Sequence, residues 1–417
     1  MTGSSMSSKV DRRMKRWQEQ RWLLDAVIRT VGVEWDQARL AYMSAPGGPE
    51  AVAEFRRVGA TIKKAADIDR AFVGAARRRQ ARAEDYERQG RFTSAGEQYF
   101  IAQLLWATAR WPIFEINKPL LDMEEHMNHC FARYMKHANH PIERVDVKFG
   151  DKALPAYLHL PHKPGPGEKF PCVLFIDGMD GCKEMMVSAC GDPHLERGIA
   201  VLAIDGPGQG ECCTIPIHVT PRNHGEAAVA AVDFLASRPE IDASRIAVRG
   251  VSMGSYFGPC AAAALGDRIK GLAVMAVCQE PGFNTIFNMA SPTFKLRYMF
   301  MTGIEDEAQF DQYARQFDLG PIAGQIKCPY LCVAGEDDQL SPIEFSYEFY
   351  DRLKAPKKLV VYEGAEHGIM GAASAALGES PMTLIIDWLQ EQLAGKPMKD
   401  EKIFIDATGR ASAIPAR

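Results

Sequence analysis

Apolar positions along the first third of the chain recur at helical spacing. Trp17, Trp22, Leu23, Val27 and Ile28 form one run, which Pro46-Gly47-Gly48-Pro49 breaks. The period restarts over 50–74 with Val52, Phe55, Val58 and Ile62 on one face. Residues 75–89, the turn Gly90-Arg91-Phe92 and a second run carrying Ala95, Tyr99, Ala102, Leu105 and Trp106 predict a helical pair. The pair is of the tetratricopeptide type, but no second copy follows, so no solenoid is predicted. Residues 1–10 read as disordered. Trp17, Trp22, Trp35, Trp106 and Trp111 all fall in this helical stretch, either as core aromatics or as walls of a substrate tunnel.

Near His140-Pro141 the period changes to that of strands. Strands are predicted over 142–149, 154–160, 170–177, 200–205, 245–250, 271–278, 330–335 and 358–363. Helices are predicted over 224–237, 259–265, 341–353 and 381–393. This alternation predicts an α/β fold: a mostly parallel central sheet with helices on both faces, its two leading strands forming an antiparallel edge. Between 281 and 325 the alternation lapses into a stretch rich in aromatics and methionine, from Phe283 to Met301, expected to be a lid insertion. The expected domains are a helical module over 1–140, a catalytic domain over 141–395 and a polar, peripheral tail over 396–417.

Composition adds mainly exclusions. The 417 residues are 47% hydrophobic, ample for a large core, and the formal net charge of -4 points to no nucleic-acid partner. The N-terminus lacks the apolar core of a secretory signal, and no apolar run approaches the ~20 residues that span a bilayer. The ten cysteines lie mostly in apolar contexts without paired C-x-x-C spacing, so a reducing, cytoplasmic setting is expected, with no disulfide framework. His126, His129, His137 and His140 cluster, but no carboxylate pattern of catalytic spacing accompanies them, and no metal is expected there.

The chemistry concentrates at Gly250-Val251-Ser252-Met253-Gly254, a G-x-S-x-G pattern between a predicted strand and a small-residue helix. Glycines on both sides let the chain turn sharply and lift the hydroxyl to the top of the sheet. Pro259 is expected in the first turns of that helix. A serine needs a base, and the base an orienting acid, each following a later strand. Asp338, in Gly335-Glu336-Asp337-Asp338, is the acid candidate, with Asp337 and Glu336 as rivals. His367, in Gly364-Ala365-Glu366-His367-Gly368, is the base candidate. An oxyanion needs donors, expected from the backbone N–H groups of Met253 and of Met179 in the loop Asp177-Gly178-Met179-Asp180. The loop Asp205-Gly206-Pro207-Gly208-Gln209-Gly210 lacks the following helix of a phosphate cradle and reads as structure near the site. This triad calls for no cofactor.

With these motifs the chain resembles the α/β-hydrolase superfamily. More narrowly it resembles the group containing 2,6-dihydropseudooxynicotine hydrolase, the fungal pigment polyketide-shortening hydrolases and the FrsA-like proteins. The helical N-terminal segment ending at Arg110-Trp111-Pro112, Asp177-Gly178 followed by Lys183-Glu184, and the loop from Asp205 to Glu211 carry the narrower likeness. The resemblance implies a helical lid closing over Ser252, a homodimer, and a small hydrophobic or aromatic substrate. In some relatives a glutamate assists carbon–carbon cleavage, and Glu280 is the candidate here. Three functions stand: hydrolysis of a C–C bond beside a ketone, hydrolysis of an ester, lactone or amide by the same triad, and a non-catalytic interaction role.

Overall fold

The computed structural model describes residues 13–414, so the expected disorder over 1–10 lies outside the described residues. Among the described residues the helices α1 (Lys15–Val31), α2 (Arg39–Ser44), α3 (Gly48–Gly59), α4 (Ile68–Arg88), α5 (Phe92–Ala109) and α6 (Lys118–Met135) precede the sheet. The helical pair is α4 and α5. The break between runs falls after Gly59, not at Gly74. Gly59 is packed so closely that an added Cβ would lie 2.3 Å from Leu40 Cδ1, whereas at Gly74 the nearest atom would be an arginine tip 3.6 Å away. A roomy glycine inside a long helix costs about 1 kcal/mol, which the packing of α4 outweighs. The module has its own core, in which Phe55, Phe72, Phe100 and Trp106 are buried. Trp22, read as core or tunnel wall, is instead 71% exposed.

The sheet begins with β1 (Ile142–Phe149), β2 (Lys152–His159), β3 (Phe170–Ile176) and β4 (Ala200–Ile204). Helix α7 (Asn223–Ser237), β5 (Ile241–Val251), α8 (Gly254–Leu265) and β6 (Leu272–Met275) follow. The insertion holds α9 (Pro292–Thr302) and α10 (Glu307–Ala314); then come β7 (Tyr330–Gly335), α11 (Ile343–Arg352), β8 (Lys357–Tyr362), α12 (Ala373–Leu377) and α13 (Pro381–Leu393). The segment expected to be a peripheral tail adds β9 (Glu401–Ile405) and β10 (Ala411–Ala413) to the sheet's edge. A short apolar run, Ile403-Phe404-Ile405, is enough to pair β9 in parallel with β8.

The ten strands run in the order β1-β2-β4-β3-β5-β6-β7-β8-β9-β10. β1 pairs antiparallel with β2, β2 with β4 and β10 with β9; the pairs from β4 through β9 are parallel. Parallel strands are covered on both faces, and successive residues point opposite ways. Thus Cys172, Leu174 and Ile176 of β3 join the core under α7 and α8, while Val173 joins the core under α13. Pro259 falls in the second turn of α8, because the helix starts directly at Gly254. The parallel order brings the C-terminal ends of β5, β7 and β8 to one rim, where ligands bind in open α/β sheets.

Candidate active site

β5 delivers Ser252 through a turn the flanking glycines make possible. Ser252 has φ 55, a left-handed conformation that a side-chain-bearing residue adopts only under constraint. The constraint is visible: Ser252 N–H donates to Met275 O at 3.0 Å, and Ser255 N–H donates to Ser252 O at 2.7 Å. A Cβ at Gly250 would lie 2.1 Å from Gly254 O, and one at Gly254 would lie 2.2 Å from Ile176 O. Both glycines are therefore dictated by backbone packed on backbone. The hydroxyl ends up above the N-terminus of α8, where the helix dipole favours negative charge.

β7 and β8 bring the acid and base candidates to the same rim. His367 Nε2 lies 3.0 Å from Ser252 Oγ, and His367 Nδ1 lies 2.8 Å from Asp338 Oδ2. With its Nδ1 proton donated to Asp338, the imidazole turns its Nε2 lone pair toward the serine hydroxyl. Asp338 is buried, and its other oxygen accepts from Leu340 N–H at 2.8 Å and Ser341 N–H at 3.1 Å. Those bonds set the carboxylate's direction. Asp337 and Glu336 are exposed, and Glu336 Oε2 is turned to Gly364 N–H. His367 N–H donates to the Gln339 side chain at 3.1 Å, tying the two loops together. Gly335 allows the approach, since a Cβ there would sit 2.3 Å from Ala365 O.

The loop after β3 faces the serine from the other side. A Cβ at Gly178 would lie 2.9 Å from Ser252 Cβ and 3.2 Å from Oγ. Asp177 Oδ1 accepts from Gly178 N–H at 2.7 Å; burial pushes its carboxyl up to about 6, partly offset by that bond. Gln209 Nε2 donates to Asp177 O at 2.6 Å and to Gly178 O at 2.9 Å. Arg297 Nε, on α9, donates to Met179 O at 3.0 Å. The glycine-rich loop after β4, read as structure near the site, therefore braces the loop that carries Met179.

Behind that brace lies an ionic cluster that sequence reasoning quoted only as a likeness. Lys183 Nζ meets Asp205 Oδ2 at 3.0 Å, Glu184 Oε1 at 2.7 Å and Glu211 Oε2 at 2.6 Å. Lys183 and Asp205 are fully buried, and Arg144 reaches Glu211 at 3.0 Å. Desolvation pushes the Glu184 carboxyl up, while Glu211 is drawn down to about 2 by Lys183 and then Arg144, against the opposing effect of burial. Its sequence signal was the coincidence of Lys183-Glu184 with Asp205 and Glu211.

Glu280 lies past β6 with its Oε2 accepting from Thr285 N–H at 2.7 Å, so its carboxylate caps the first turn of the insertion. Cys278 Sγ lies 4.0 Å from Ser252 Oγ, and burial pushes its thiol up. A cleft of about 630 Å³ opens between α1 and the insertion. Trp17, Trp35 and Phe294 line it, and it reaches Gln339, Leu340 and Glu366 beside the acid and base candidates. The clustered histidines are engaged elsewhere: His126 stacks on Trp106 at 4.5 Å and His137 Nε2 meets Glu87 at 2.8 Å. Among the described residues no group of three or more His, Cys, Asp or Glu could hold a metal ion, and no helix is long and apolar enough to cross a membrane.

A model of the prolyl oligopeptidase family matches residues 193–396. Among curated proteins the chain is similar to alpha/beta hydrolase ucsC of an Acremonium species, 30% identical over 57% of this chain and 50% of the relative. It is also similar to 2,6-dihydropseudooxynicotine hydrolase of Paenarthrobacter nicotinovorans, 26% identical over 61% of this chain and 66% of the relative. The chain thus spans about half to two thirds of the length of these relatives. Among solved structures, that of a 2,6-dihydroxy-pseudo-oxynicotine hydrolase superposes with a TM-score of 0.68 over 79% of this chain and 91% of the other, at 23% identity. Sheet order and strand-to-helix turn agree with the likeness to these hydrolases: the chain has the α/β-hydrolase fold.

Proposed function

We propose that the chain is a serine hydrolase in which Ser252 is the nucleophile, His367 the general base and Asp338 the acid that orients it. The observation carrying this reading is the hydrogen-bond chain of 3.0 Å and 2.8 Å from Oγ through the imidazole to the carboxylate. His367 takes the hydroxyl proton as Oγ attacks a carbonyl carbon. The resulting oxyanion is held by the N–H groups of Met253 and Met179. Collapse of the tetrahedral intermediate expels the leaving group, which takes its proton from the His367 imidazolium. Water, deprotonated by His367, then releases the acid and restores the serine.

The leaving group in this reading is a carbanion stabilised by a neighbouring carbonyl, so the bond cut is C–C beside a ketone in a small aromatic or polyketide-like substrate. The aromatic cleft and the names of the relatives support that class. The helical module and the 281–325 insertion act as the lid. The second reading, ester, lactone or amide hydrolysis, uses the same acyl-enzyme and is favoured by the same three residues. Ser252→Ala is expected to lower hydrolysis by about 10⁴-fold or more with an unchanged thermal midpoint. A fluorophosphonate probe should label Ser252 by mass spectrometry. Activity retained in the alanine variant sinks the nucleophile assignment; fast p-nitrophenyl ester turnover with no cleavage across a β-diketone panel selects the second reading.

A further inference from the structure

We propose that Arg39 is a positioning residue for the oxyanion loop, so that docking of the helical module sets the backbone facing Ser252; the inference rests on the reading of Ser252 as nucleophile. Arg39 stands on α2 and is 2% exposed. Its guanidinium carbon lies 4.0 Å from the Trp111 ring centroid and 5.3 Å from that of Phe294. One aromatic comes from the turn just after α5 and the other from the insertion, so both lid segments hold it. Nη1 donates to Asp36 Oδ1 at 2.8 Å, and Nε donates to Asp180 Oδ2 at 3.2 Å. Tyr42, one turn further along α2, donates its hydroxyl to the same Asp180 oxygen at 3.2 Å.

Asp180 follows Met179 directly. Two other grips on the loop, from Gln209 and Arg297, fall on carbonyl oxygens. The Asp180 grip differs: it is charged, sits on a side chain and comes from the module. A preorganised donor must be held within about 0.5 Å to serve a transition state. Removing the guanidinium leaves the Asp180 carboxylate, 9% exposed, without its cation. An uncompensated carboxylate turns toward water, and it takes with it the peptide carrying the Met179 N–H. Loss of Arg39 should therefore act on the transition state more than on substrate binding.

The test uses the full chain with Arg39→Met and Asp180→Ala, singly and together. Glu87→Gln serves as a control within the module, because Glu87 pairs with Arg133 and His137 away from the loop. The readouts are kcat and KM on a p-nitrophenyl ester, the rate of Ser252 labelling by a fluorophosphonate, and the thermal midpoint. Each single variant is expected to lower kcat and the labelling rate about 10- to 100-fold, less than the 10²- to 10³-fold for losing a donor outright, with KM nearly unchanged. The double variant should be no slower than the slower single one, as for residues acting through one contact. Glu87→Gln should lower the midpoint and leave the rates alone. Unchanged rates in the single variants overturn the proposal, as does a multiplicative loss in the double variant. If Arg39→Met does not fold, Asp180→Ala decides the matter by the same criterion. A wild-type chain that the probe leaves unlabelled at Ser252 removes both the nucleophile reading and this one; a labelled wild type with unaltered variants removes this one alone.

Discussion

At the scale of single residues, the site rests on which of three neighbouring acids faces the imidazole. Glu336, Asp337 and Asp338 look alike in sequence, yet only Asp338 turns inward, because its Oδ1 is caught by the N–H groups of Leu340 and Ser341. Asp338→Asn should lower kcat by about 10⁴-fold, since an amide no longer fixes the tautomer that points Nε2 at the serine. Asp337→Asn should leave the rate near that of the wild type. Steady-state kinetics on one ester separates the two, and the reverse ranking would move the acid to Asp337. Ser252 and His367 were legible because each stands in a small-residue loop after a strand. Arg39 and Lys183 were not legible as a brace and a buried hub. Their partners, Asp180 for one and Asp205 with Glu211 for the other, come near only once the chain has folded, and no periodicity encodes a contact between residues 39 and 180.

At the scale of elements, the elbow and the loop after β3 are fitted to each other through glycine. Gly178→Ala would push a methyl to 2.9 Å from Ser252 Cβ, a contact that only movement of the serine or the loop relieves. Its expected effect is a fall of about 10²-fold in kcat, the scale set by a 1 Å misplacement, with little change in melting. Gly254→Ala meets the Ile176 carbonyl at 2.2 Å; it should instead cost stability, about 1–3 kcal/mol or more in urea unfolding. Equal effects of the two on melting would mean that Gly178 serves packing alone. Strands and helices were readable wherever apolar spacing ran uninterrupted. Boundaries slipped where tertiary packing overrode local chemistry: Gly74 stays inside α4, and Pro259 stays inside α8 because the elbow starts the helix early. β9 escaped notice since three apolar residues in a polar context gain strand character only beside β8.

At the scale of the whole molecule, two deeply buried imidazoles link folding to pH. Burial draws His159 down to about 3, and the neighbouring His140 ring, 2.9 Å away, adds to the depression. It draws His224 down to about 3 as well, where the ring stacks 3.6 Å from Phe257 and Nε2–H donates to Pro207 O. Both pKa values are depressed in the fold, so below about 6.5 the unfolded chain binds protons that the native chain refuses. Stability should therefore fall as pH drops from 6.5 toward 3, by ~1.4 kcal/mol per pH unit for each histidine. Urea unfolding between pH 7 and pH 5 checks this; a flat midpoint over that window would mean that these rings are not held neutral.

The outermost strands carry a consequence for handling the protein. β9 covers the outer flank of β8 from Lys358, opposite Glu401, to Tyr362, opposite Ile405, and β8 leads straight into the loop that bears His367. A chain cut after Leu393 would keep Ser252, Asp338 and His367 and still present a bare, mostly apolar flank, an invitation for strands of other molecules to dock. Such a trimmed protein should precipitate or self-associate before its chemistry could be measured. The three-residue β10, exposed along its whole length, ends the ladder too briefly to recruit a neighbour.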